Sequence, residues 1–244
     1  MFCIWNNKNA VRILYYMRTG IFYKNIIKKL LGTLSLGIVF ICFVFACVLS
    51  SVQTYTLGKT FYVLVSSSKH IQASTHTAQN LGGAGFLFSD ENTDYVAYAA
   101  YTSQTEGMQA QRELNAIGQD ALLLPVTVET LYFKSPQDKK KSEQIIAVFA
   151  WLETQLDLLK QEIKLFERGI TQQAVRRLLV TQGKQFAYAK EEYSSILPAF
   201  SKVCTSAQSQ IDEMINGIVY LKDMRFLHCY LTQAYVDMSK RFAL

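Results

Sequence analysis

The stretch Phe61-Tyr62-Val63-Leu64-Val65 has a counterpart 34 positions later, Tyr95-Val96-Ala97-Tyr98-Ala99, and this repeat predicts the fold of the middle of the chain. Both stretches alternate their side chains in the way that is typical of a β-strand. Gly85 likewise precedes Gly118 by 33 positions. Self-similarity at a nearly constant period indicates two copies of one structural unit.

Each copy is predicted to contain a strand, a helix that ends at a glycine, and a second strand. The predicted strands are 61–65, 86–88, 95–101 and 121–128, and the predicted helices are 71–81 and 102–117. Two βαβ units joined by a loop form a βαββαβ, split ferredoxin-like fold, with both helices on one face of the sheet and the other face open. We therefore expect an α+β protein.

Residues 59–128 resemble the SPOR domain of bacterial envelope proteins. The likeness rests on the aromatic-x-apolar-x-apolar strands, the polar, alanine-containing helices and the glycine-rich stop Gly82-Gly83-Ala84-Gly85-Phe86. The resemblance implies a domain whose open sheet face binds the glycan strands of peptidoglycan after their stem peptides have been removed. It also implies a role in division or sporulation.

When the resemblance is carried over residue by residue, it implies that Phe61, Val63 and Val65 face the helices. The residues that would face the glycan are Tyr62, Leu64, Ser66 and Tyr98. The two tyrosines could stack on a sugar ring, because a phenol has an apolar face and a polar edge. This chain departs from the family, however, since Leu64 stands where the family strand has glutamine and Ser66 where it has glycine. An amide that could bind a sugar is therefore missing.

Residues 30–52 form an apolar run without a single charge. As a helix rising ~1.5 Å per residue, the run would reach roughly 34 Å, which is enough to cross a hydrocarbon core of about 30 Å. We expect a transmembrane helix at 30–52. A cleaved signal peptide is the open alternative, although the segment before the run is long for one.

The charge pattern predicts which side of the membrane holds the folded part. All six charged residues before the apolar run are basic, and the first acidic residue is Asp90. Segment 1–29 is therefore expected to be a cytoplasmic tail, and 53–58 an extracytoplasmic linker to the folded part. Without the six tail cations, the 25 basic residues fall to 19 and equal the 19 acidic ones, which argues against a nucleic-acid partner.

Segment 135–244 has helical periodicity. Helices are expected from Ser135, from Gln172 and from Ala199, and Asn216-Gly217 leaves open whether the last one is divided. An apolar stripe with steps of three and four consists of Ile145, Phe149, Leu152, Leu156, Leu159, Ile163 and Phe166. Such a stripe fits the core of an antiparallel bundle or the seam of a coiled-coil homodimer.

Residues with catalytic or metal-binding patterns are scarce. None of His70, His76 and His228 forms a metal-ligand spacing, and the sequence has no nucleophile elbow, phosphate loop or dinucleotide fingerprint. Cys204 and Cys229 could form a disulfide only if the chain turns back between them, and are otherwise expected to be core residues. We expect no enzyme, no metal and no cofactor.

Two functions follow from these observations. In the first, a single-pass protein of the cell membrane binds peptidoglycan glycan strands through its SPOR-like domain. In the second, the same protein is a non-enzymatic scaffold that binds other envelope proteins through its helical domain, without affinity for glycan. The departures at Leu64 and Ser66 favour the second function, whereas the repeat and the topology favour the first.

Overall fold

The computed structural model describes residues 53–68, 70–90, 93–133 and 139–242. The predicted tail 1–29 and the predicted transmembrane helix 30–52 lie outside these ranges. None of the helices within the ranges has both the length and the apolar character needed to cross a bilayer.

Four strands and six helices occur along the described ranges. The strands are β1 (Gln53–Ser66), β2 (Phe86–Asp90), β3 (Thr93–Tyr101) and β4 (Ala121–Phe133). The helices are α1 (Ile71–Asn80), α2 (Gln104–Ala116), α3 (Lys139–Glu167), α4 (Gln172–Tyr193), α5 (Pro198–Asn216) and α6 (Leu221–Lys240). The strands form one antiparallel sheet in the order β2-β3-β1-β4.

The central strand β1 is buried on both of its faces. Phe61, Val63 and Val65 point to one side and are fully buried in a core shared with the C-terminal helices. Leu64 points to the other side, where it packs with Ala78 of α1. Alternation along a strand sends successive side chains to opposite faces, so each face of β1 carries its own apolar layer.

The C-terminal helices form the layer over the odd-numbered face of β1. Tyr235 of α6 lies between Phe61 and Phe149, with ring centroids 5.3 Å and 5.1 Å away and edge-to-face geometry. Its hydroxyl donates a 2.6 Å hydrogen bond to Oε1 of Glu153, whose Oε2 lies 3.4 Å from the Nζ of Lys59. These contacts join β1, α3 and α6 into one core.

The predicted fold class is therefore wrong in how it divides the chain. It placed a transmembrane helix before a βαββαβ domain with an open sheet face, followed by a separate helical region. In the described ranges no helix could span a membrane, and the helical region covers the sheet face opposite α1 and α2, so neither face of β1 is open. The physical reason is that Phe61, Val63 and Val65 are large apolar side chains, whose exposure to water would be unfavourable.

The stripe predicted as a possible homodimer seam is used within the chain. Ile145, Phe149, Leu152, Leu156 and Leu159 are buried, and Ile163 and Phe166 pack against the same core. Because α3 lies against the sheet and its neighbouring helices, these side chains contact the chain's own core.

Both edges of the sheet are partly closed by other groups. At β2, the Gln233 side chain accepts a 2.9 Å hydrogen bond from the Ser89 N–H and donates a 3.1 Å bond to the Ser89 carbonyl. The β4 edge contains Pro125, which has no N–H, and near its end the Tyr132 N–H donates to the Phe242 carbonyl at 2.7 Å. Such features protect an edge against pairing with another strand.

Several element boundaries differ from those predicted. The expected linker 53–58 belongs to β1, where Gln53 pairs with Phe133 of β4. The division of the last helix, which the sequence left open, is present, since α5 ends at Asn216 and α6 begins at Leu221. Although the chain does turn back there, Cys204 and Cys229 remain free, buried thiols.

Glu162 on the buried face of α3 predicts a pH-dependent stability. Its side chain is 7% exposed, Oε2 has no hydrogen-bond partner among the residues that the structure describes, and burial raises its pKa to about 7. The folded chain therefore holds a proton at Glu162 that the unfolded chain has released, so the contribution of Glu162 to stability falls as the pH rises from about 4.5 to about 7. We expect Glu162→Gln to remove roughly 3 kcal/mol of this fall.

The measurement is the free energy of unfolding from denaturant titrations between these pH values. Glu143→Gln, at an exposed position of the same helix, is the matched control and should leave the pH profile unchanged. Parallel profiles for the wild type and Glu162→Gln would contradict the assignment.

Candidate functional site

The residues predicted to bind glycan lie on the sheet face that α1 and α2 cover, not on an open one. Leu64, Ser66 and Tyr98 are 1%, 7% and 4% exposed, and Tyr62 is half-buried. The Ser66 hydroxyl donates to Oγ of Ser74 in α1 at 3.3 Å. The predicted orientation is thus reversed: Phe61, Val63 and Val65 face the C-terminal helices, and the Leu64 side faces α1 and α2. Alternation shows that two faces exist but not which helices cover each of them.

The glycine-rich stop contributes to the burial of Tyr98. A Cβ atom at Gly83 would lie 2.9 Å from Cδ1 of the Tyr98 ring, which is closer than real Cβ atoms come. Gly83 therefore allows the chain after α1 to pass directly over this ring. Packing therefore explains the glycine at position 83. Tyr98, which was expected to stack on a sugar, lies beneath the backbone at this glycine.

An open cleft of about 400 Å³ lies where the sheet, α2, α3 and α6 meet. Its floor includes the small residues Ala99 and Ala100 at the end of β3, followed by Tyr101. The charged side chains on its walls are Glu106, Lys160, Lys164, Glu167, Arg168 and Arg225. The four cations outnumber the two carboxylates, so the cleft has an excess of two positive charges.

Glu106, in the first turn of α2, binds the two lysines of the cleft. Its Oε1 lies 2.5 Å from the Nζ of Lys164, and its Oε2 lies 2.9 Å from the Nζ of Lys160. Partial burial raises the pKa of Glu106, but the hydrogen bonds and charges of Lys164 and Lys160 outweigh burial and hold this pKa below its usual value. Glu106 therefore stays ionised and fixes both ammonium groups at the wall of the cleft.

The two arginines of the cleft differ in their contacts. Arg225 donates through Nη1 to the carbonyl of Gly82 at 2.9 Å and through Nη2 to Oε1 of Glu167 at 2.7 Å. Arg168 also lines the cleft, but its side chain makes no hydrogen bond or ion pair with the residues that the structure describes. Its guanidinium is therefore available to a ligand.

His228 is a buried polar group of the cleft. It is 2% exposed, and its Nε2 has no hydrogen-bond partner in the described part of the chain. Burial lowers its pKa to about 4, against a hydrogen bond with the Leu156 backbone that raises it, and the charge of Lys160 lowers it further. The imidazole is therefore uncharged at neutral pH.

Tyr101 provides a second uncharged polar group. Burial raises the pKa of its phenol to about 12, so the hydroxyl keeps its proton at neutral pH. The cleft thus combines fixed cations with a neutral phenol and a neutral imidazole. Arrangements of this kind bind and orient anionic ligands, because ionised donors make the stronger hydrogen bonds.

Other reactive groups lie outside the cleft. Burial raises the pKa of both Cys204 and Cys229 to about 12, which keeps these thiols protonated and poorly nucleophilic. Within the described ranges, no three His, Cys, Asp or Glu side chains are placed to hold a metal ion.

Comparison with protein-family models, with curated proteins and with solved structures finds no match to this chain. The likeness of residues 59–128 to the SPOR domain therefore stays a prediction. The cleft was not predicted from the sequence, because its side chains come from segments between positions 99 and 228 that only the fold brings together. The one signal was His228, a histidine within the apolar pattern of a helix.

The neutral, buried state of His228 predicts how acid affects stability. Because its folded pKa of about 4 lies below its usual 6.5, the unfolded chain binds a proton that the folded chain excludes, and the contribution of His228 to stability falls as the pH drops from 6.5 to 4. We expect His228→Leu to remove this loss, which amounts to roughly 3 kcal/mol. Unfolding free energies across this pH range measure the effect.

His76→Gln, at an exposed position of α1, is the control and should keep the wild-type slope. If His228→Leu retained the wild-type acid slope, the imidazole would not be the group excluded from protonation.

Proposed function

We propose that this chain is a non-enzymatic binding protein whose ligand presents an oxyanion to the basic cleft. The observation that carries the proposal is the excess of cations around His228, a buried side chain with an unpartnered ring nitrogen. Native proteins rarely leave a buried polar atom without a partner, since this costs about 1–3 kcal/mol. In this proposal an oxyanion meets the excess cations, and the ligand supplies a hydrogen bond to the imidazole.

The arrangement of the charges supports binding in preference to catalysis. Glu106 is ion-paired to two lysines and Glu167 to Arg225, so both carboxylates hold cations in place. Arg168 remains for the ligand, and a guanidinium matches the planar oxygens of carboxylates and phosphates.

Of the two functions that follow from the sequence, the burial of the sheet favours the non-enzymatic interaction protein. Glycan binding through Tyr62, Leu64, Ser66 and Tyr98 would require an accessible sheet face, and three of these four side chains are buried. In the proposal the cleft, not the sheet face, is the contact site for an acidic group of an envelope partner.

The cell membrane, with the folded part outside the cytoplasm, is the location that we propose. This part rests on the uncharged run 30–52 and on the one-sided cations before it, both outside the described residues. A reporter enzyme fused after Leu244 should be active only outside the cytoplasm, and activity confined to the cytoplasm would contradict this location.

The cleft predicts a measurable affinity for simple oxyanions. Calorimetric titration of the full chain with inorganic phosphate should show saturable binding, and the double variant Arg168→Met, Lys164→Met should weaken it roughly tenfold or more, since hydrogen bonds to charged groups contribute about 1.5–3 kcal/mol each. Lys141→Met removes an exposed cation from the same helix and should change the affinity little. Equal losses in both variants would indicate diffuse charge attraction.

A variant at Tyr62 tests whether the contact site is the cleft or the sheet face. Tyr62 is the only residue of the predicted glycan site that is not buried. We expect Tyr62→Ala to leave the retention of the full chain on amidase-treated wall sacculi unchanged, whereas Arg168→Gln reduces any retention that depends on acidic groups. A marked loss for Tyr62→Ala alone would favour glycan binding by the sheet.

A further inference from the structure

We propose that the oxyanion bound in the cleft carries its own O–H group and donates that hydrogen to Nε2 of His228. Monoprotonated phosphate and hydroxy-carboxylates have this chemistry, whereas sulfate and simple carboxylates do not. The inference rests on the proposed function, because it concerns the ligand of the same cleft.

The hydrogen bond of the His228 ring determines which nitrogen carries the imidazole proton. The ring makes a hydrogen bond with the backbone of Leu156, whereas Nε2 has no partner. A bond to a backbone carbonyl requires the N–H, so in the neutral ring the proton lies on Nδ1. Nε2 therefore presents a lone pair and can only accept.

Two cations of the cleft, Arg225 and Lys160, lie near the imidazole. His228 follows Arg225 by three positions on α6, so both side chains lie on one face of the helix, and both line the cleft. Lys160 is near enough to influence the charge of the imidazole. In the proposed complex, the charged oxygens of the ligand meet these cations and its remaining oxygen lies toward Nε2.

The lone pair of Nε2 discriminates between oxyanions with and without an O–H group. An oxygen without hydrogen would bring its lone pairs against the lone pair of Nε2, and the histidine would stay unsatisfied after binding. An O–H group makes the missing bond instead. Sites that hydrogen-bond a ligand hydroxyl reject analogues that lack it, because the buried group is then left unpaired. Neutral Tyr101 adapts to either ligand, because its hydroxyl can donate or accept.

The test compares oxyanions that differ in the O–H group. At about pH 8 most inorganic phosphate is a dianion that keeps one hydrogen, so sulfate is its charge-matched analogue. Malate and succinate form a second pair, in which only malate has a hydroxyl. Calorimetric titration of the full chain should give affinities about tenfold or more higher for phosphate than for sulfate.

The pairs also identify the chemical source of the oxyanion. A preference for phosphate over sulfate alone indicates a phosphate-type ligand, and a preference for malate over succinate alone indicates a hydroxy-carboxylate; either supports the inference. Equal affinities within both pairs would overturn the inference but leave the proposed function intact. No binding of any of the four anions would overturn both.

Variants at His228 assign the discrimination to this side chain. His228→Leu should bring the affinity for phosphate down to that for sulfate, whereas His228→Gln, whose amide oxygen also accepts, should keep part of the preference. Circular dichroism and the unfolding midpoint establish that each variant is folded. His76→Gln should retain the full preference, and retention of the full preference by a folded His228→Leu would overturn the assignment.

Discussion

Strand β1 is buried on both faces, and this burial determines where the helices of the chain must lie. Phe61, Val63 and Val65 need one apolar layer and Leu64 needs another, so a central strand of this kind cannot have a solvent-exposed face. Each large apolar side chain that is fully buried contributes about 1.5–3 kcal/mol. The layer on the Leu64 side comes from α1 and α2, and the layer on the other side comes from the C-terminal helices. The helical region is consequently part of the same core as the sheet.

The cleft follows from this arrangement. Where the two helical layers meet at the end of β3, Ala99 and Ala100 are too small to fill the space, and side chains of α2, α3 and α6 enclose it. Glu106 joins the layers by binding Lys160 and Lys164 across the opening. The result is a group of four cations, three of which are paired with carboxylates, beside an uncharged histidine.

The sequence allowed much of the local structure to be predicted, but not how the layers assemble. Alternation at 61–65 and 95–101, and the three-and-four spacing from Ile145 to Phe166, lie in the strands and the helix that the structure contains. Periodicity could not show which helices cover each face of β1, because either assignment satisfies the same pattern. The role of Gly83 depends on the nearby Tyr98 ring, and the cleft on residues far apart in sequence. Both are long-range features without a local signal.

The most direct test is whether the sheet folds without its second layer. A fragment of residues 53–133 contains all four strands with α1 and α2, but leaves Phe61, Val63, Val65 and Phe88 without the helices that cover them. Because this face would be exposed, we predict that the NMR spectrum of the fragment lacks the dispersed amide and methyl signals of the full chain and that its unfolding is not cooperative. A dispersed spectrum with cooperative unfolding would show that the sheet is an independent domain and would contradict the account.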